Sequence, residues 1–100
     1  MKITEATPFT GKVCRIFYKV PVGSHITTTR KKKELHLTGL VKDFNYNRTH
    51  QEFEMCFYVG EPLPRKDFSS GEYILKVHNI TRIKELSPSE SIIFKLRNNI

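Results

Sequence analysis

Four histidines, His25, His36, His50 and His78, with Glu52, Glu54 and Arg48, are the side chains suited to acid–base work, and on a basic chain they point to a phosphodiester. Their spacing forms no catalytic motif. There is no Gly-rich phosphate loop, H-E-x-x-H, nucleophile elbow or kinase signature, and Ser24 beside His25 means little, because a nucleophile and its base meet in space. His36 and His78 therefore read as surface residues on polar strand faces and His50 as a turn residue, and no catalytic residue, metal ligand or cofactor is assigned. Cys14 and Cys56 lie inside apolar alternations and not in a C-x-x-C pair, so they read as buried thiols. A disulfide between them would need neighbouring strands and an oxidising compartment.

The stronger chemical signal is charge. The chain has 17 Lys and Arg against 10 Asp and Glu, a net +7. Residues 1–50 hold 10 basic and 3 acidic side chains and residues 51–100 hold 7 of each, so the excess belongs to the first half. Arg30, Lys31, Lys32 and Lys33 are consecutive, and without them 13 basic against 10 acidic residues leave +3. Cations grouped in this way neutralise phosphates and release counterions. The expected function is noncatalytic binding of DNA or RNA. Arg30, Lys31, Lys32 and Lys33 would contact phosphates from a loop over about 21–33. Lys12, Arg15 and Lys19 alternate on the strand before that loop, and Arg48 lies on a hairpin with Lys42, which would extend the basic face. Tyr46 at the hairpin tip, with Phe44 beside it, would stack on exposed bases; the competing assignments are core packing for Phe44 and simple turn placement for Tyr46. Glu52 and Glu54 form an acidic counterweight, placed to pair across strands with Lys42 or Arg48.

Two other readings use the same residues. The first is a protein-interaction module, an inhibitor or adaptor gripping the acidic surface of a nucleic-acid enzyme. An alanine-poor, Lys- and Ile-rich composition fits that reading as a viral accessory protein. The second is a small His-dependent nuclease. After Lys2 no apolar stretch follows that would make a secretory signal, and no run approaches the ~18 apolar residues of a membrane span, so the expected location is the cytoplasm, with no membrane partner.

The elements that must position these residues are strands. Val, Ile and Thr supply 24 residues, Phe and Tyr 11, and alanine one, a composition that suits pleated, half-buried surfaces. Alternation predicts a first strand over 12–20 and a second from Leu35 to Val41, extending to Phe44. Asn45 to Thr49 form a turn, and a third strand follows over Phe53 to Val59, so that these two make an antiparallel hairpin. Residues 60–71, with Pro62 and Pro64, read as a long loop, and Tyr73 to Val77 as a fourth strand. Ile80, Ile83 and Leu86 recur every third residue, which predicts tight helix over about 79–86. For the tail, the alternation of Ile92, Phe94 and Leu96 favours a fifth strand, while Ser87-Pro88-Ser89-Glu90 has the form of a helix cap and predicts a helix over 88–97.

One hundred residues make one domain, with a core over about 10–97, of all-β or β-rich α+β class. The order of strand, long loop, hairpin, long loop, strand, tight turn and last strand resembles the five-stranded SH3-like and Sm-like small barrels; an OB-fold is the neighbouring alternative. That resemblance is architectural and transfers no functional residue. Asp67-Phe68-Ser69-Ser70-Gly71 resembles an off-register D-x-S-x-x-G of the PilZ cyclic-dinucleotide-binding barrels. Glu72 stands where that motif has glycine, and the upstream basic run offers one arginine instead of a pair, so a loop before a strand fits better. Pro62-Leu63-Pro64-Arg65 has the form of an extended proline ligand, against which a turn-rich connection is the simpler assignment.

Overall fold

The computed structural model describes residues 1–19 and 34–100. The basic loop over about 21–33, with His25 and Arg30, Lys31, Lys32 and Lys33, lies outside the described residues. A short helix α1 (Ile3–Ala6) and a 3-10 turn (Thr7–Phe9) lead into strands β1 (Val13–Lys19), β2 (Glu34–Asn47), β3 (Glu52–Val59) and β4 (Gly71–Lys76). A second 3-10 turn (Val77–Asn79) connects to β5 (Ile80–Glu85), and helix α2 (Pro88–Arg97) follows. The strands form one antiparallel sheet in the order β4-β3-β2-β1-β5. Among the described residues no pairing joins β4 to β5, so the expected barrel is, as observed, an open five-stranded sheet.

The alternation fixes which face is buried. Cys14 and Ile16 on β1, Leu37 and Val41 on β2, and Met55, Phe57 and Val59 on β3 form the core with Ala6, Val77 and Ile80. Burying each large aliphatic or aromatic side chain contributes about 1.5–3 kcal/mol. Leu63 and Phe68 from the long loop and Phe9 from the first turn pack against that cluster. β2 pairs with β1 through its first half and with β3 through its second, and Gly39 belongs to both ladders. The register shift between Val41 and Asp43 leaves Lys42 as the extra residue of a bulge, which returns Phe44 to the core side opposite Met55.

Two expectations are corrected. Residues 80–85 are a strand, and the helical turn is Val77–Asn79, which also ends the fourth strand at Lys76. Tyr18 pairs with Ile80 and Ile16 with Ile83, so four residues on β5 span three on β1, with Thr81 as the extra one. The bulge puts both isoleucines on the core side at a spacing that imitates a tight helix. The tail is a helix and not a strand. Ser87 Oγ accepts from the Glu90 N–H at 3.3 Å, Pro88 occupies the first turn, and Lys95 and Arg97 the last. Asn99 takes φ 57°, and the Ile100 N–H donates to the Lys95 carbonyl at 2.9 Å, which closes the C-terminus in a Schellman turn.

α2 lies over one end of the sheet's outer face, the side away from the core. Val13 and Phe94 are buried there, and Phe94, Ile93 and Arg97 line a cleft with Arg15, Thr38, Leu86 and Pro62. Asn98 ties the helix to the end of β3. Its Oδ1 accepts from the Glu61 N–H at 2.7 Å, and its Nδ2 donates to the carbonyls of Glu61 at 3.1 Å and Phe94 at 2.8 Å.

Candidate nucleic-acid interface

Beyond α2, the outer face of β5, β1 and β2 is open. Register places its residues in cross-strand rows. One row is Lys84, Arg15 and Thr38; the next is Arg82, Phe17 and His36; Lys19 opposite Glu34 follows. Arg15, Lys19, Arg82 and Lys84 therefore share this face with one carboxylate from the described strands, Glu34, while Glu61 and Glu90 line the α2 cleft beside Arg15; all four cations are exposed. Among the described residues Arg15, Lys19 and Lys84 enter no ion pair. The Arg82 guanidinium lies over the Phe17 ring, 3.9 Å from its centroid, with Nη2 3.9 Å from Glu34 Oε1. Thr81 Oγ1 donates to the other Glu34 oxygen at 2.6 Å. On the far side of Phe17 the His36 ring stands 5.8 Å away, tilted by 49°.

The opposite half of the outer face, over β2, β3 and β4, has the reverse character. Asp43, Glu52, Glu54 and Glu72 share it with Lys76 and the bulge residue Lys42. Its cations are neutralised: Lys42 Nζ lies 2.6 Å from Glu72 Oε1, and that bond holds the Lys42 amine above its usual pKa. Lys76 Nζ is 3.1 Å and His78 Nδ1 3.2 Å from the Glu52 carboxylate. Glu52 and Glu54 thus do not take up Lys42 or Arg48 as expected. Glu54 accepts from Asn47 Nδ2 at 3.3 Å.

Of the residues singled out in the sequence, Arg15 and Lys19 are brought together. Lys12 precedes β1 and pairs with Glu85 at 3.1 Å, in register with Cys14 on the core side. Arg48 lies in the β2–β3 turn, at the far end of the sheet from Lys19. Tyr46 is ten residues beyond His36 on β2 and on the core side, edge-on to Phe53 with ring centroids 5.0 Å apart. Phe17, His36, Arg82 and Lys84 are the members that sequence reading does not assign to the site: alternation puts Phe17 and His36 on outward strand faces without marking them as binding residues, and the threefold spacing of β5 predicts helix and hides the register of Arg82 and Lys84 to β1.

The remaining chemical candidates take structural positions. His50 donates its backbone N–H to Asn47 Oδ1 in the turn, and His78 lies in the 3-10 turn, not on a strand. No group of three His, Cys, Asp or Glu able to hold a metal occurs among the described residues. Cys14 and Cys56 are both free, with β2 between their strands, and they lie on opposite faces of the sheet. Burial pushes the Cys14 thiol up to about 12, and burial followed by Asp43 raises that of Cys56, so neither is a ready nucleophile. In the run that resembles the cyclic-dinucleotide motif, Asp67 pairs with Arg65 at 3.4 Å, Phe68 packs on the core, and the Ser69 carbonyl accepts from the Tyr73 hydroxyl at 2.7 Å. The Pro62–Arg65 segment likewise turns Leu63 inward. No helix among the described residues is long and apolar enough to cross a membrane. Compared with protein-family models, curated proteins and solved structures, the chain matches none.

Proposed function

We propose that the chain is a noncatalytic nucleic-acid-binding domain, built on an SH3-like or Sm-like small barrel, that meets phosphates with the outer face of β5, β1 and β2. The observation behind this reading is the grouping of Arg15, Lys19, Arg82 and Lys84 on one open face, with Glu34 as the only carboxylate that the described strands place there and Glu61 and Glu90 confined to the α2 cleft beside Arg15. Cations spread over a protein keep it soluble, whereas four on one flat face sum their fields and can neutralise several phosphates together. Arg30, Lys31, Lys32 and Lys33 precede Glu34, where the chain enters this end of β2, and they add to the proposed site by sequence adjacency. For the barrel, support comes from the strand order and from the three-residue turn that joins the two edge strands, β4 and β5, at one end.

The test is backbone amide NMR during titration with an oligonucleotide. The expected shifts fall on residues 15–19, 34–38 and 81–84. Shifts confined to β3 and β4 would reject the assignment of the face, and their absence at low salt would reject the function.

A second reading, the protein-interaction module, is favoured by α2. Ile92, Ile93 and Leu96 are more than half exposed there, beside Lys95 and Arg97, a surface suited to an apolar partner with an acidic rim. Capture from nuclease-treated extract, with native protein and an Ile93→Asp/Leu96→Asp variant as baits, tests it. One stoichiometric protein lost in the variant supports the module; none, or one retained equally, rejects it.

A further inference from the structure

Resting on the nucleic-acid reading above, we infer that the row Arg82, Phe17 and His36 is a base-stacking platform and that the ligand is single-stranded nucleic acid, not duplex. The three residues are register partners on adjacent strands, about 4.8 Å apart, and all three end in flat π systems. Phosphate attraction alone requires no aromatic group. Yet a half-buried phenylalanine stands at the centre of the cationic face, with a guanidinium 3.9 Å from its ring centroid and an imidazole 5.8 Å away. The guanidinium lies over the ring with no ligand present, and Glu34, which accepts from the Thr81 hydroxyl at 2.6 Å, stands 3.9 Å from Arg82 Nη2 on its flank. An oriented guanidinium plane and an exposed imidazole are surfaces on which bases stack.

The layout around the row suits a single strand. Arg15 and Lys84 occupy the next row, one strand repeat or about 6.7 Å away, and Lys19 lies on the other side of Phe17. Bases on the central row would leave their phosphates within reach of cations on both flanks. A duplex keeps its base faces stacked inside and would meet only the cations, leaving the rings unused. The α2 helix walls one end of this face through Ile93 and Arg97, beside Arg15.

Fluorescence anisotropy with three labelled probes of equal length tests this: oligo(dT) of about 12 nucleotides, an abasic deoxyribose-phosphate strand, and a blunt duplex. The native protein is expected to bind oligo(dT) at least about tenfold more tightly than the abasic strand, the scale of one stacked base. Phe17→Leu, which keeps the apolar volume and removes the ring, is expected to lose that margin with the abasic affinity unchanged. Circular dichroism reports whether its sheet is intact, and exposed His36→Ala, expected to act in the same direction, serves if it is not. Equal affinity for oligo(dT) and the abasic strand, or a duplex preference that neither variant alters, overturns the platform while leaving the nucleic-acid reading in place. Failure to bind any probe at low salt overturns both.

Discussion

At Gly39 the backbone of β2 passes between its two neighbours, and a Cβ there would lie 2.5 Å from the Tyr58 carbonyl oxygen and 3.1 Å from the Phe57 ring. The first obstacle is backbone within the β2–β3 ladder and cannot rotate away. Gly39→Ala is therefore expected to lower unfolding free energy by about 1–3 kcal/mol, measured by urea denaturation. Cys14 gives a pH signature. Its thiol is raised from an ordinary 9.0 to about 12 by burial, with Glu85 adding to the effect and Lys12 opposing it. Between those values the unfolded chain loses a proton that the folded chain retains, so stability falls as pH rises. The expected loss between pH 9 and 11 is of order 2 kcal/mol, and Cys14→Ala should flatten that part of the pH–stability curve even though its baseline is lower. A slope unchanged in the variant would mean that other groups govern alkaline unfolding.

At the scale of elements, α2 is held to the sheet by one buried aromatic side chain and the Asn98 bonds to Glu61. Phe94 lies outside the main core cluster, so its loss should act locally. Phe94→Ala is expected to remove about 3–5 kcal/mol from the packing of α2, abolishing hydrogen-exchange protection at Phe94 and Asn98 while β1 to β3 stay protected. Global loss of protection would show instead that α2 and the sheet unfold as one unit. Legibility in the sequence follows a physical line. β1, β3 and the first half of β2 are readable because each alternates over at least seven residues, in β2 from Leu35 up to the bulge at Lys42. β5 is not, because its bulge converts a period of two into a spacing of three, and α2 is ambiguous because only Phe94 of its apolar residues is buried. The same line divides the site. Arg15, Phe17 and Lys19 can be placed on one face from alternation along one strand, whereas His36, Arg82 and Lys84 join them only through the register of β1 with β2 and with β5.

Over the whole molecule, the net +7 is unevenly distributed. Across the sheet's outer surface, cations on β5 and β1, of which only Arg82 meets a carboxylate among the described residues, give way to carboxylates and neutralised lysines on β2, β3 and β4. A polyanion should therefore approach from one side, and overall charge alone should not reproduce its binding. Two quadruple variants of identical net charge separate these effects. One replaces Arg15, Lys19, Arg82 and Lys84 with Gln, and the other replaces Lys42, Arg48, Lys66 and Lys76 with Gln. The decisive measurement is the slope of log affinity against log salt for a single-stranded oligonucleotide. The first variant is expected to lower that slope by up to about 2.8, at roughly 0.7 for each phosphate no longer neutralised, and the second to leave it near the native value. Equal reductions in the two variants would contradict the assignment of binding to the face of β5, β1 and β2.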